Sequence, residues 1–320
     1  MNYVIVAGYV CSGSSVVCDL LKEVNGFFVP AVEFKVIREP HGLIDLENKL
    51  VQNWNFFHSA HAIIEFEELI ECFTNSKTYV YHYEKLFNKN FGEISREFID
   101  SITSFSYEAG SSMFPNLLKK DKKKWFAKKQ NNNIEKIKFS HINKQEFLTA
   151  VHDYLDKIFV EYKNDGYSSV VLDQGLSPNC ANRINDYFPN GKMIVVDRDP
   201  RDVAVSMMRR KKGIGPELAL EMNADKYIEW FKATRCNDVM VSTNVLYMKY
   251  EDLIHNYEDS KQKVFEFLNV EEKDHTNQFQ YFNPDVSRTR IGQWKNCIHN
   301  TNEKYFFEQI EKHLGQYLYM

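Results

Sequence analysis

Three short stretches of this chain are apolar almost throughout rather than at every second position: Tyr3 to Ala7, Ser169 to Leu172 and Met193 to Val196. A strand with one face in water alternates, so an unbroken apolar run marks a strand buried on both faces, as in a parallel sheet covered by helices. Val245 to Met248 is a weaker fourth run and Phe27 to Val29 a short fifth. Helix starts follow them: Ser177 suits an N-cap with Pro178 at N1, and Asp199-Pro200 repeats the arrangement. Strands alternating with helices predict an α/β fold.

From about 43 to 164 the pattern changes to long amphipathic stretches. Phe147, Leu148, Val151, Tyr154, Leu155, Ile158, Phe159 and Tyr162 recur at helical spacing. This predicts a helical insertion covering the sheet. Inside it, Lys119 to Lys129 is read as a solvated loop, or as a lure for an anionic acceptor in which Trp125 and Phe126 could stack on sugar faces. There is no internal repeat and no linker. With 43% hydrophobic residues, 24 Phe and 18 Tyr, the 320 residues are read as one domain carrying this insertion.

Charge and cysteine content narrow the function. Forty Lys and Arg against 44 Asp and Glu leave a net charge of -4, which argues against a nucleic-acid track. No run approaches the roughly 20 apolar residues that span a bilayer, and the first residues lack the basic start of a signal peptide. A cytoplasmic protein is expected. The six cysteines are scattered with no C-x-x-C pair, so neither a metal site nor a disulfide framework is expected.

After the first run, Gly8-Tyr9-Val10-Cys11-Ser12-Gly13-Ser14-Ser15 opens a helix through Val16, Val17, Leu20 and Leu21. In outline this is a phosphate loop, G-x4-G, whose backbone amides and helix N-terminus favour an anion. Enzymes that hydrolyse nucleoside triphosphates need Lys after the second glycine, where this chain has Ser14. Taken alone, the spacing also fits an ordinary turn.

A second segment, Arg198-Asp199-Pro200-Arg201-Asp202 through Ser206, runs from a buried strand into a helix. Arg198 falls at the carboxyl end of the strand, where open α/β sheets bind ligands, and Ser206 lies two turns into the helix. Of ten arginines, Arg198, Arg201, Arg209 and Arg210 are here and Arg288 and Arg290 are together near the end. Arginine suits bidentate phosphate contacts.

These residues resemble the sulfotransferases that use 3′-phosphoadenosine 5′-phosphosulfate (PAPS). Ser12-Gly13-Ser14-Ser15 is similar to that family's 5′-phosphosulfate loop, and Arg198 through Ser206 to its 3′-phosphate segment R-D-P-x-D-x-x-x-S. Tyr250-Glu251-Asp252-Leu253 and the late run Ser287 to Asn296, with its G-x-W-K at Gly292, also agree. The resemblance spans residues 3 to 296 apart from the insertion. It implies a P-loop-type parallel β-sheet flanked by helices, PAPS as co-substrate with no metal, and transfer of a sulfuryl group to an acceptor hydroxyl. Cofactor contacts then fall to Cys11, Ser12, Gly13, Ser14, Ser15, Arg198, Ser206, Arg288 and Arg290. One residue departs. Cys11 stands where relatives carry Lys or Arg, leaving Arg38, Lys35 or Lys295 to supply the charge, or else a slow or purely binding protein.

For the base, Val29-Pro30-Ala31-Val32-Glu33-Phe34 is similar to the P-x-E-F/Y segment of carbohydrate sulfotransferases. Glu33 is the expected base, beside Arg38 as a second catalytic residue, with His41, Asp173 and His82 as competitors. Asp173, Gln174 and His41 are the expected acceptor contacts, and the acceptor is expected to be a glycan. The competing readings are an ATP-dependent phosphotransferase and a non-catalytic nucleotide or glycan binder.

Overall fold

The computed structural model describes residues 1–75, 82–87, 90–110, 134–210, 221–235 and 242–319. The lysine run at 119–129 and Cys236 lie outside the described residues. The chain divides into two compact units: Met1–Phe34 with Gly166–Met320, and Lys35–Asp165. Among the described residues the strands are β1 (Asn2–Gly8), β2 (Phe27–Phe28), β3 (Phe105–Gly110), β4 (Ile134–Phe139), β5 (Ser169–Asp173), β6 (Lys192–Asp197) and β7 (Val245–Lys249).

In the first unit five strands form one sheet in the order β2-β5-β1-β6-β7, every neighbouring pair parallel. All five strands expected from apolar runs are present. The central β1 pairs Val4 with Val171 and Val6 with Ile194. Ile5, Val6, Val171, Ile194 and Val196 are fully buried, which is why their sequence does not alternate. Helices Ser15–Lys22, Tyr250–His255 and Tyr257–Leu268 contribute Val17, Leu20, Leu21, Leu253 and Val264 to one cluster with β1. A second cluster joins Val203, Met207, Tyr227, Phe231, Phe306 and Ile310 from helices Pro200–Arg210, Ala224–Ala233 and Thr301–His313.

The strand order places the site. From β1 the chain passes to the β2 edge, returns through β5 beside β1, then crosses to β6 on the other side. The carboxyl ends of β5, β1 and β6 therefore meet where the order reverses, the place where open α/β sheets bind ligands.

The second unit is built on helices Phe56–Thr74, Phe91–Ile102 and Lys144–Asn164. The last starts with a capping box between Asn143 and Glu146 and buries Phe147, Val151, Tyr154, Leu155, Ile158 and Phe159, as their spacing predicts. Phe98 stacks on Tyr154 at 4.7 Å, and the Tyr154 hydroxyl meets Ser95 Oγ at 2.8 Å. The region is not wholly helical, however: β3 and β4 form an antiparallel pair, Phe105 opposite Phe139. The alternation behind it is confined to short runs, too brief to stand out among helical stretches. No helix among the described residues is long and apolar enough to cross a membrane.

The fully buried Ile194 on β6, beside the central strand, sets a stability test. Ile194→Ala should lower the unfolding free energy by about 2–5 kcal/mol in urea denaturation.

Candidate active site

The turn after β1 is closed by the Ser12 amide donating to the Tyr9 carbonyl at 3.0 Å. Cys11 and Gly13 both adopt left-handed backbone, with φ of 62° and 83°. Two glycines are needed for space. A Cβ on Gly8 would lie 2.2 Å from Ser12 Oγ, and one on Gly13 would lie 2.6 Å from the Tyr250 ring. The helix makes its first bonds from the Val16 and Val17 amides to Gly13 and Ser14 carbonyls. The amides of Gly13, Ser14 and Ser15 precede those bonds, so the loop and helix N-terminus present donors and partial positive charge together. Ser12 Oγ is buried with no partner among the described residues, and Gln174 Nε2 donates to Ser14 Oγ at 2.9 Å.

Across from the loop, at the end of β6, Arg198 is only 5% exposed. Its Nη1 donates to Ser206 Oγ at 3.0 Å and its Nη2 to the Arg290 carbonyl. The guanidinium lies 4.5 Å from the centre of the Tyr250 ring, and its Nε is buried without a partner among the described residues. Asp199 caps the following helix by accepting from the Arg201 amide at 2.9 Å, as its place before Pro200 predicts. Ser177, by contrast, precedes Pro178 without capping through its side chain.

Carboxylates organise what surrounds this arginine. Asp202 accepts from the amides of Gly292 at 2.7 Å and Trp294 at 3.3 Å, tying the late G-x-W turn to the helix Pro200–Arg210. Arg201 pairs with Asp199 at 2.6 Å and Glu311 at 2.7 Å and lies over the Trp294 ring. Asp197 accepts from Arg235 at 2.6 Å, and Arg235 lies over the rings of Tyr9 and Phe231. Glu251 is fully buried, with Oε1 accepting from the Asp199 amide at 2.9 Å. Burial pushes its carboxyl up to about 7 despite that bond.

A cavity of about 300 Å³ lies against Gly13, Ser15, Arg198, Tyr250 and Arg290, walled by Phe279 to Asn283. The loop, Arg198, Ser206 and Arg290 are thus brought together. Arg288 is not: its exposed side chain faces Asp285 at 3.4 Å. Cys11 packs with Met208, Trp294 and Cys297 against the apolar cluster of the Pro200–Arg210 helix. Burial raises its thiol, against the lowering effect of Arg210 and then Arg198. Lys295 sits over the Trp294 ring at 5.8 Å.

The expected acceptor-side residues fall in both units. Glu33 is half-buried in the first, next to Phe34, whose amide donates to the Asp173 carbonyl at 2.9 Å. Its segment therefore borders the carboxyl end of β5. Burial first, and then the Asp173 carboxylate, raise the thiol of Cys18, with which Asp173 also shares a hydrogen bond. Arg38, Lys35, His41 and His82 belong to the second unit. There His41, at φ 67°, meets Glu65 at 3.2 Å, and Glu65 also bonds Lys49 and lies 3.3 Å from His61. Burial opposes ionisation of Glu65, but Lys49 and the two histidines hold its carboxyl below the usual range. No cluster of metal-binding side chains occurs among the described residues.

Asp202 and Tyr250 stand in the sequence motifs without a role assigned to them, and Arg235, Phe279 and Tyr281 stand in none. Their partners lie far along the chain, and only the G-x-W pattern opposite Asp202 offered a local signal.

A family model described as the sulfotransferase domain matches residues 3–317. The chain belongs to this family. It is a sulfotransferase with the α/β fold expected of one. Among solved structures it is similar to the sulfotransferase domain from the curacin biosynthetic pathway, at 12% identity and TM-score 0.41 over 97% of each chain. A sulfotransferase from Alicyclobacillus acidocaldarius matches at 12% identity and TM-score 0.38, over 98% of this chain and 95% of that one. Retinol dehydratase in complex with androsterone and inactive cofactor PAP matches at 16% identity and TM-score 0.35, over 98% and 81%. No curated protein matched.

Glu251 gives this sulfotransferase a pH signature. Its folded value lies above its unfolded one, so its contribution to stability is complete below about pH 4.5 and is lost as pH rises through about 7. Denaturation between pH 4.5 and 8 should show the wild type losing on the order of 3 kcal/mol relative to Glu251→Gln. Gly13→Ala should abolish anion binding at the loop, read by calorimetry, because a Cβ there meets the Tyr250 ring.

Proposed function

We propose that this sulfotransferase takes its sulfuryl group from PAPS and passes it to a carbohydrate hydroxyl, with Glu33 as the base. The observation that carries the donor assignment is the pre-formed Arg198–Ser206 pair, standing with Arg290 and the glycine loop around one cavity. A buried guanidinium nitrogen and a buried serine hydroxyl, both without partners among the described residues, are the groups a phosphate ester satisfies.

In this reading PAPS supplies an activated sulfuryl group whose bridging oxygen leaves with the nucleotide. Arg198 and Ser206 hold the 3′-phosphate. The amides of Gly13, Ser14 and Ser15 hold the 5′ end, where preorganised donors stabilise charge that grows during transfer. Tyr250 and the wall from Phe279 to Asn283 take the nucleoside. Glu33 takes the proton from the acceptor hydroxyl. The carbohydrate class rests on the resemblance of Val29 to Phe34 to the P-x-E-F/Y segment.

An ATP-dependent phosphotransferase is the less favoured reading. Ser14 stands in place of the lysine, and the nearby carboxylates are engaged: Asp197 by Arg235 and Asp202 by two amides.

Arg198→Ala should weaken adenosine 3′,5′-bisphosphate roughly 10–100-fold in calorimetric titration. A preference of the wild type for ATP-Mg²⁺ would overturn the donor reading. Glu33→Gln should lower kcat about 10²- to 10⁴-fold in assays of labelled PAPS against sugar acceptors, with bisphosphate affinity unchanged. Tight bisphosphate binding without transfer to any acceptor would make the protein a binder.

A further inference from the structure

We infer that Glu23, at the far end of the loop's helix, is a positioning residue that holds the aromatic wall of the nucleotide cavity and so sets how tightly the base of the donor is gripped. This rests on the donor reading above.

Glu23 caps the C-terminus of the helix Ser15–Lys22, whose N-terminus faces the cavity. Its carboxylate has no solvent exposure, yet it is bonded at both oxygens. Oε1 accepts from the amides of Tyr281 and Phe282, each at 2.8 Å. Oε2 meets His275 Nε2 at 2.8 Å, with that ring also buried.

Among the described residues, backbone ties hold the chain beside this helix as far as Asn277. The Asn25 amide donates to the Asp274 carbonyl at 2.8 Å, and the Asn277 amide to the Glu23 carbonyl at 3.3 Å. Beyond the following turn, in which Phe279 takes φ 64°, the amides of Tyr281 and Phe282 are held by Glu23. Phe279 and Tyr281 border the cavity while remaining 48% and 55% exposed. Large apolar rings left open at a cavity mouth are a platform for a flat ligand ring. One buried carboxylate therefore connects the helix that meets the phosphate end of the ligand to the platform that meets its base.

The test is calorimetric titration of the full chain with two probes of like charge: adenosine 3′,5′-bisphosphate and ribose 3,5-bisphosphate, which lacks the base. Stacking on an aromatic platform is worth roughly 1–3 kcal/mol per base. Glu23→Gln should weaken the adenosine probe about tenfold and change the base-free probe by less than about twofold. In a Tyr281→Ala background, whose exposed site tolerates the change, Glu23→Gln should add less than about twofold. His275→Asn should give a smaller selective loss, and it serves should Glu23→Gln not fold.

Equal losses for both probes, an unchanged adenosine affinity, or full additivity with Tyr281→Ala would overturn the inference. Wild-type protein that binds both probes equally would overturn it while leaving the phosphate clamp in place. A wild type that ignores both probes overturns the donor reading itself.

Discussion

A guanidinium that is 5% exposed has to be neutralised or hydrogen-bonded on every side, and the arrangement around Arg198 follows from that requirement. Its partners come from separate parts of the chain: Ser206 from the helix that follows it, the Arg290 carbonyl from the late segment, and the Tyr250 ring from beyond β7. Burying the charge therefore fixes three elements relative to one another. One of its nitrogens, Nε, is left without a partner among the described residues. Arg235 is the counterexample in the same unit, since its guanidinium is matched to Asp197.

The parallel sheet decides where that charge can sit. With β1 in the centre and the order reversing beside it, the glycine loop and Arg198 leave neighbouring strands on the same edge. Backbone donors at a helix start and a buried arginine then face one cavity from two sides. Asp202 adds the late segment by bonding its Gly292 and Trp294 amides, and Glu23 adds the aromatic wall by the same kind of bond. In both cases a buried carboxylate fastens a distant loop through backbone amides, a contact that requires no particular side chain on the loop.

A net charge of -4 is compatible with a highly anionic ligand because the two kinds of cation are placed differently. Six of the ten arginines lie in two segments, Arg198 to Arg210 and Arg288 to Arg290. Even there the roles separate. Arg198 is buried against Ser206 and Tyr250, Arg201 is spent on Asp199 and Glu311, and Arg288 faces Asp285 in solvent. Cys11, where the resemblance implies a cation, packs against an apolar cluster, and the charges it feels come from Arg210 and Arg198.

Local rules were enough for the sheet and for the two motifs beside it. Strands buried on both faces lose alternation, so β1, β5 and β6 were legible as unbroken apolar runs. The loop from Gly8 to Ser15 and the cap at Asp199-Pro200 were legible because turns and helix starts constrain residue type within a few positions. The short pair β3 and β4 was hidden within a helical region, since a few alternating residues carry little signal. Only the tertiary structure decided that Arg290 rather than Arg288 approaches Arg198, that Asp202 secures Gly292, and that Glu23 secures Tyr281 some 258 positions away. Those pairings depend on which ends of the sheet lie together, and a residue type alone carries no record of a partner so distant in the chain.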